Sequence, residues 1–238
     1  MPQPSVLDSR RSWARLGITL AIAAVGNAGM WTVIVALPHI QADFGLDRGT
    51  STLTYVATML GFAAGNVLAG RLVDRHGIAP ALALSITAVA LGHVVVALAP
   101  SIWLIALAQA IVGLGTAASF GPLMADVSHW FLKRRGIAVS IAASGNYLSG
   151  VIWPLALTDG IESFGWRPAY AVTGVALALI VLPLTLALRT RVPAEARAAA
   201  DRAATARATA TRLSPRTLQI LLALAGVACC VAMSMPQV

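Results

Sequence analysis

Six apolar stretches of about twenty residues follow one another along this chain, and no other feature constrains its fold as strongly. They cover approximately 16–38, 51–70, 79–99, 101–124, 136–158 and 167–188. A helix of roughly 20 apolar residues crosses the ~30 Å hydrocarbon core of a bilayer. Lipid offers the backbone no hydrogen-bond partners, so such stretches must satisfy their own backbone groups as helices. The expected fold class is an all-α integral membrane protein with a six-helix transmembrane bundle at 16–188.

The overall composition excludes most classes of soluble protein. Hydrophobic residues make up 58% of the 238 residues and charged residues 11%, against about 25% charged in soluble domains. The net charge is +8, but the arginines lie between apolar stretches rather than on one face of a soluble domain, so no nucleic-acid partner is expected. Cys229 and Cys230 are adjacent, and no His/Cys cluster occurs. We therefore expect no disulfide framework, no metal and no cofactor.

The basic residues predict how the chain crosses the membrane. If the helices alternate in direction, 15 of the 17 Lys and Arg residues fall on one side, and only Arg48 and Arg167 on the other. Cytoplasmic loops carry the excess of Lys and Arg. We therefore expect a multi-pass protein of a bacterial inner membrane, with a cytoplasmic N-terminal tail at 1–15. The 15 residues are Arg10, Arg11, Arg15, Arg71, Arg75, Lys133, Arg134, Arg135, Arg189, Arg191, Arg197, Arg202, Arg207, Arg212 and Arg216.

The composition changes after the sixth apolar stretch. Residues 189–216 consist mostly of Ala, Thr and Arg, which favours a partly helical cytoplasmic linker near anionic lipid headgroups. An arm that binds nucleic acid is the alternative. Residues 217–238 are apolar again and predict the start of a seventh helix, truncated where the chain stops at Val238.

The turn between the second and third helices carries the first informative motif, Gly70-Arg71-Leu72-Val73-Asp74-Arg75-His76-Gly77. Gly70 allows another helix to approach closely, and Gly77 permits a tight turn. Asp74 can accept hydrogen bonds from a helix N-terminus, and Arg75 can pair with a carboxylate. The run resembles the G-x-L-x-D-R-x-G motif of the major facilitator superfamily. This resemblance implies a conformational latch formed by Gly70, Asp74, Arg75 and Gly77. A charged turn that obeys the positive-inside rule is the plainer interpretation.

A second motif joins the fourth and fifth helices. Trp130 and Phe131 precede the basic triplet Lys133, Arg134 and Arg135, and a helix rich in small residues follows. The pattern resembles the monocarboxylate transporter branch of the superfamily and the related oxalate/formate exchangers. We expect the triplet to anchor the inner end of the bundle. Two differences bear on the branch. The first helix lacks that branch's acidic residue, and Gln109 stands where drug exporters carry an arginine.

The resemblance implies a function for the chain. A member of this superfamily built from two inverted three-helix repeats would supply the N-terminal half of a secondary transporter. It would move a small solute, a monocarboxylate-like organic acid, by alternating access, driven by a proton or exchange gradient. The missing C-terminal six-helix half or a second copy would complete it. The alternative is a half-size or truncated membrane protein that acts as an assembly or dimerisation partner. No motif of an intramembrane enzyme occurs.

Polar residues inside the apolar stretches are candidates for the substrate path, because burying them in lipid is costly. Hydrogen bonding between helices is the alternative for each of them. His93 is expected to be buried and hydrogen-bonded rather than a proton relay. Asp126 is expected to pair with Arg71, Arg75 or Arg135 in preference to a proton-linked pair with His129. The path candidates are Asn27, Trp31, Thr32, Tyr55, Thr58, Gln109, Asn146 and Tyr147.

Overall fold

The computed structural model describes residues 6–190, 192–193, 197–198, 202, 205 and 214–234, and in these the regular structure is helical. The chain divides into two compact units, 1–192 and 193–238. The second unit contains α9, Pro215–Ser234, which begins two residues before the segment 217–238 that was expected to start a seventh helix. The linker predicted at 189–216 lies largely outside the described residues. The helices of the first unit are α1 Arg10–Gly26, α2 Ala28–Phe44, α3 Arg48–His76, α4 Ile78–Leu98, α5 Ile102–Thr116, α6 Gly121–Ser128, α7 Arg135–Phe164 and α8 Trp166–Ala187.

These helices form six spans that are long and apolar enough to cross a membrane within the described residues. We number the spans in chain order. Helices α1 and α2 together make span 1, and α5 and α6 together make span 4. Each apolar stretch expected from the sequence lies within one span to within one residue. The six-helix prediction is therefore confirmed.

The helices extend beyond their apolar parts. Helix α1 begins at Arg10, inside the segment expected to be a tail, because Ser9 caps it by accepting a hydrogen bond from the Ser12 N–H at 3.3 Å. Helix α7 has 30 residues, which at 1.5 Å per residue gives about 45 Å. That length exceeds the hydrocarbon core, so polar ends of the helix reach into the headgroup region. Hydropathy detects only the apolar part of such a helix.

Small residues bring α3 and α5 into backbone contact. A methyl group added at Gly61 would lie 2.0 Å from the Ala110 carbonyl oxygen, and one added at Gly113 would lie 2.0 Å from the Thr58 carbonyl oxygen. Helices in lipid associate through this kind of close packing, because burial of apolar surface gives no advantage there. The outer surface is correspondingly apolar. Leu98 is 75% exposed and Trp103 is 68% exposed.

The same glycine joint occurs twice. Gly77 connects α3 to α4 with φ 89° and ψ 170°, and Gly165 connects α7 to α8 with φ 87° and ψ 162°. Each glycine N–H donates at 2.8 Å to the carbonyl four residues earlier, Val73 in one case and Ile161 in the other. This backbone conformation is available essentially to glycine alone. Two long helices are therefore followed by shorter helices at matching corners.

Helices α4 and α8 share one burial pattern when residues are counted from these glycines. Each buried residue of α8 falls at a position that is also buried in α4. The helices are antiparallel, since Arg167 at the start of α8 bonds to carbonyls at the end of α4. The pairs α3–α4 and α7–α8 thus share one corner and one burial pattern, and their second helices run in opposite directions. The equivalent pairs are Ile78 and Trp166, Leu82 and Tyr170, Ser85 and Thr173, Ile86 and Gly174, Val89 and Leu177, His93 and Val181, and Ala97 and Thr185.

Substitution of the joint glycines tests this account of the corners. We expect Gly77→Ala and Gly165→Ala each to destabilise the protein by about 1–3 kcal/mol, because alanine is strained in this conformation. Gly160→Ala is the matched control, since Gly160 lies within α7 with open space around it. Thermal unfolding in detergent, followed by circular dichroism, measures the difference. A Gly165→Ala midpoint equal to that of the control would contradict the account.

Candidate functional site

Span 1 is interrupted at its midpoint. Asn27 separates two helices of 17 residues each, and it is only 1% exposed. Its side-chain Nδ2 donates to the Ala23 carbonyl oxygen at 2.8 Å. Discontinuous helices at the bilayer midplane expose backbone groups that uninterrupted helices keep to themselves. The break therefore leaves polar groups in the middle of an apolar span.

The break in span 4 contacts the break in span 1. A 3₁₀ turn, Ala117–Ser119, separates α5 from α6. A methyl group added at Gly26 would lie 2.5 Å from Ser119 Oγ, and one added at Gly29 would lie 2.5 Å from Thr116 Oγ1. Ser119 Oγ is buried and has no hydrogen-bond partner. The two interrupted spans thus touch at their irregular segments.

Two tryptophans link span 1 to α7. The Trp31 ring rests on Gly150, where an added methyl group would lie 2.6 Å from a ring carbon. In the opposite direction, Trp153 of α7 donates its Nε1–H to the Ala24 carbonyl oxygen of α1 at 3.2 Å, close to the break. The Trp31 Nε1–H is buried and has no partner. An indole N–H can only donate, so this group is available to an acceptor that enters beside it.

The structure places the eight path candidates in different surroundings. Thr32 and Thr58 are fully buried, and their hydroxyls donate to Ala28 and Thr54 carbonyl oxygens in their own helices. Tyr147 is 61% exposed, while Tyr55 and Asn146 are partly buried. Only Asn27, Trp31 and Asn146 are associated with the break in span 1 and the face of α7 next to it. The assignment of the eight residues to a path stays a prediction.

Gln109 belongs to a buried polar cluster that the sequence did not predict as a unit. Its Nε2 donates to the Tyr170 hydroxyl oxygen at 2.7 Å. The His93 ring lies 5.4 Å from the Tyr170 ring, and its Nε2 lies 3.4 Å from Thr32 Oγ1. His93 is fully buried, and its Nδ1 lies 2.8 Å from the Val89 carbonyl oxygen. The expectation of a buried, bonded His93 is therefore met. Tyr170 was missed because a tyrosine near a helix start gives no sign of its distant partners.

The latch residues form few contacts within the first unit. Gly77 makes the tight turn described above, whereas a methyl group at Gly70 would meet nothing within 4 Å. Asp74 and Arg75 are exposed, and neither forms a hydrogen bond or ion pair with the residues described. We expected a helix N-terminus beside Asp74, a carboxylate beside Arg75 and a closely packed helix at Gly70. None of these partners is found among the described residues. The latch stays a prediction.

Asp8 holds the loop that carries the predicted inner anchor. Its carboxylate accepts hydrogen bonds from the backbone N–H groups of Leu132, Lys133 and Arg134 at 3.1, 3.0 and 3.2 Å. The Lys133 and Arg134 side chains are exposed, and Arg135 Nη2 donates to Ser128 Oγ at 3.0 Å. Partial burial alone would raise the pKa of Asp8, but the three backbone hydrogen bonds hold it below its ordinary value of 3.8.

The prediction for the ion-pair partner of Asp126 was wrong. The Asp126 carboxylate pairs with Arg15 at 2.8 Å, not with Arg71, Arg75 or Arg135. Arg15 lies in the second turn of α1, with 5% of its side chain exposed. Its position at the edge of an apolar stretch is equally typical of a solvated positive-inside residue. The sequence therefore gave no sign that its side chain turns inward.

Comparisons with known proteins agree with this architecture. The family model described as Major Facilitator Superfamily matches residues 19–237. Monocarboxylate transporter 6 of Mus musculus is 28% identical over 170 residues, which are 70% of this chain and 36% of that protein. A protein of Cupriavidus necator named "Probable sulfoacetate transporter SauU" is 24% identical over 67% of this chain and 37% of its own length. The Fujikurins efflux protein of Gibberella fujikuroi is 45% identical over 53 residues, or 22% of this chain and 11% of that protein.

These matches fix the family of the chain. It belongs to the major facilitator superfamily, and the relatives reported above are named as transport or efflux proteins. Within that superfamily it lies near the monocarboxylate transporters. The chain spans less than half the length of the curated relatives it matches.

The Asp8 contact predicts a pH dependence of stability. Because the pKa of Asp8 is lower in the folded state, its contribution is fully present above the unfolded value of 3.8 and is lost as pH falls through the folded value. We expect Asp8→Asn to lower the thermal midpoint at pH 7 and to flatten its decline in acid. Asp159→Asn, at an exposed site in α7, serves as control. Equal acid profiles for Asp8→Asn and the unsubstituted protein would refute the role of this carboxylate.

Proposed function

We propose that this chain supplies the first six spans of a secondary transporter that moves a small organic acid by alternating access. The match to the superfamily over residues 19–237 carries this proposal. The printed names of two relatives add the solute class, since monocarboxylates and sulfoacetate both contain a carboxylate. The whole path would then require a second six-span unit, either a C-terminal half or a second copy.

The break in span 1 supports a carboxylate as the solute. The unpartnered Trp31 indole N–H lies beside α7 at Gly150. Asn146 lies one helical turn before Gly150, so it shares that face of α7. Its amide has no hydrogen-bond partner among the residues described. Two N–H donors without acceptors can hold the oxygens of a carboxylate, and hydrogen bonds to a charged group are the stronger kind.

Orientation follows from the distribution of charge. The end of the bundle that carries Arg15, Arg75 and Arg134 would face the cytoplasm of a bacterial inner membrane. We call it the basic end. Residues 189–216 would then be a cytoplasmic linker. The open space at Gly70 and the exposed Asp74 and Arg75 would face the second six-span unit, a C-terminal half or a second copy. They would act there as a latch in one of the two transport states.

Transport by the complete protein tests the proposal. The coding frame, with any continuation beyond Val238, is expressed and reconstituted into proteoliposomes. Uptake of labelled lactate and acetate is measured, with sulfoacetate as competitor. We expect saturable carboxylate uptake that an inward proton gradient or an exchangeable internal acid stimulates. Absence of uptake for every acid tested, from a folded protein, would contradict the proposal and favour the assembly-partner alternative.

A single substitution tests the role of Trp31. Trp31→Phe keeps an aromatic ring against Gly150 but removes the N–H donor. Loss of one hydrogen bond to a charged group costs about 1.5–3 kcal/mol, so we expect KM for the acid to rise at least roughly tenfold. Trp103→Phe is the matched control, because Trp103 lies on the apolar outer surface and is 68% exposed. An unchanged KM in Trp31→Phe would remove this residue from the path.

A further inference from the structure

One arginine connects three spans at the basic end. Arg15 Nε donates to the Asp126 carboxylate at the end of span 4 at 2.8 Å. Its Nη1 donates to the Thr190 carbonyl oxygen at 3.0 Å, and its Nη2 to the Leu188 carbonyl oxygen at 3.2 Å, just beyond span 6. The guanidinium also lies over the Trp130 ring at 4.6 Å from the centroid. We call this set of contacts the basic-end clamp.

A second arginine forms a similar set at the other end of the bundle. Arg167 Nη1 donates to the Ala99 and Ala97 carbonyl oxygens at 2.8 and 3.2 Å, at the end of span 3. Its Nη2 pairs with the Asp43 carboxylate at the end of span 1 at 3.3 Å. The guanidinium lies 4.4 Å from the centroid of the Trp166 ring. We call this set the opposite-end clamp.

The two clamps use acceptors of the same kinds. Asp43 lies near the end of span 1 and Asp126 near the end of span 4, and each clamp adds two backbone carbonyls at or just beyond the end of a helix, α4 in one case and α8 in the other. The two arginines come from different places, because Arg15 lies near the start of span 1 whereas Arg167 lies at the start of span 6. Two unrelated positions thus supply a guanidinium to acceptors of the same kinds. A planar guanidinium with five donors suits such a set, because one side chain can bond a carboxylate and two carbonyls together.

The helix C-termini explain why each end needs a cation. The last four carbonyls of a helix lack partners within it, and the helix dipole adds partial negative charge there. A carboxylate beside those carbonyls adds a full negative charge. An arginine neutralises the carboxylate and satisfies the carbonyls at once, which a lysine does less completely.

We propose that Arg15 and Arg167 are positioning residues that tie the ends of spans 1, 3, 4 and 6, so that these four spans keep fixed positions relative to one another. Arg15 also fixes where the chain leaves span 6 at Leu188. The inference concerns the shape of the six-span unit and does not depend on which solute is moved. The basic-end clamp contributes more, because its two side chains are 5% and 18% exposed against 37% and 47% at the opposite end.

Distances between spin labels test the proposal on the full chain in lipid nanodiscs. Cys229 and Cys230 are first replaced by Ala. One label pair at Ala14→Cys and Ala187→Cys reports on the basic end. A second pair at Ala42→Cys and Leu98→Cys reports on the opposite end. All four positions are exposed, and pulsed electron resonance gives the distance distribution for each pair.

The key variant removes the basic-end clamp without leaving a lone buried charge. Arg15→Met alone leaves the Asp126 carboxylate without its counter-ion, so this single variant can fail to fold. Arg15→Met combined with Asp126→Leu removes both charges. In this double variant we expect the basic-end distribution to broaden and shift to longer distance, because the Leu188 and Thr190 carbonyls lose their donor. The opposite-end distribution is expected to stay unchanged. Arg167→Met is expected to broaden the opposite-end distribution alone.

Three results would overturn the proposal. The first is an unchanged basic-end distribution in the folded double variant. The second is equal broadening at both ends in each variant, which would show general loosening rather than positioning. The third comes from Arg15→Lys, which keeps a cation beside Asp126 but cannot bond all three acceptors. We expect it to broaden the basic-end distribution by less than the double variant does. A distribution identical to that of the unsubstituted protein would show that charge alone suffices.

Discussion

The buried guanidinium of Arg15 is the constraint on which the rest of the bundle depends. Burying a cation among apolar side chains costs free energy unless a carboxylate and further hydrogen-bond acceptors surround it. Asp126 can supply the carboxylate only if span 4 ends beside the start of span 1. Leu188 and Thr190 can supply carbonyls only if span 6 ends there as well. One residue thus requires three spans to meet at one end, and the close glycine seams define how the remaining helices pack.

The pairs α3–α4 and α7–α8 repeat one another in burial pattern without repeating in sequence. Gly77 and Gly165 adopt the same backbone conformation, and the buried positions of α8 match those of α4. The residues at those positions differ, as His93 and Val181 show. What the repeats share is a pattern of size and burial, which suffices for packing because small residues and matched corners determine how closely helices approach. The irregular segments of spans 1 and 4 then meet inside the bundle.

The sequence predicted local features well and distant contacts poorly. Hydropathy gave six spans because each span is a continuous stretch, and the motif at 70–77 gave the family because its residues are consecutive. The Arg15–Asp126 pair joins residues 111 positions apart, and a basic residue beside an apolar stretch has the same pattern whether it is solvated or buried. Similarly, the sequence found polar residues such as Thr58 and Tyr147 within spans but could not tell that one is buried and the other exposed. Gly26, Asn27 and Gly29 are weak helix formers, but hydropathy does not register helix propensity, so the break at Asn27 was not predicted.

A double-mutant cycle on Arg15 and Asp126 tests the central claim most directly. The free energy of unfolding is measured in detergent for Arg15→Met, Asp126→Leu and the double variant. Breaking a buried ion pair by removing one partner costs about 3–5 kcal/mol, and removing both costs less. The account predicts that the double variant is more stable than the sum of the single losses implies, with a coupling of about 0.5–3 kcal/mol. Additive losses, with no coupling beyond error, would contradict the claim that this ion pair organises the bundle.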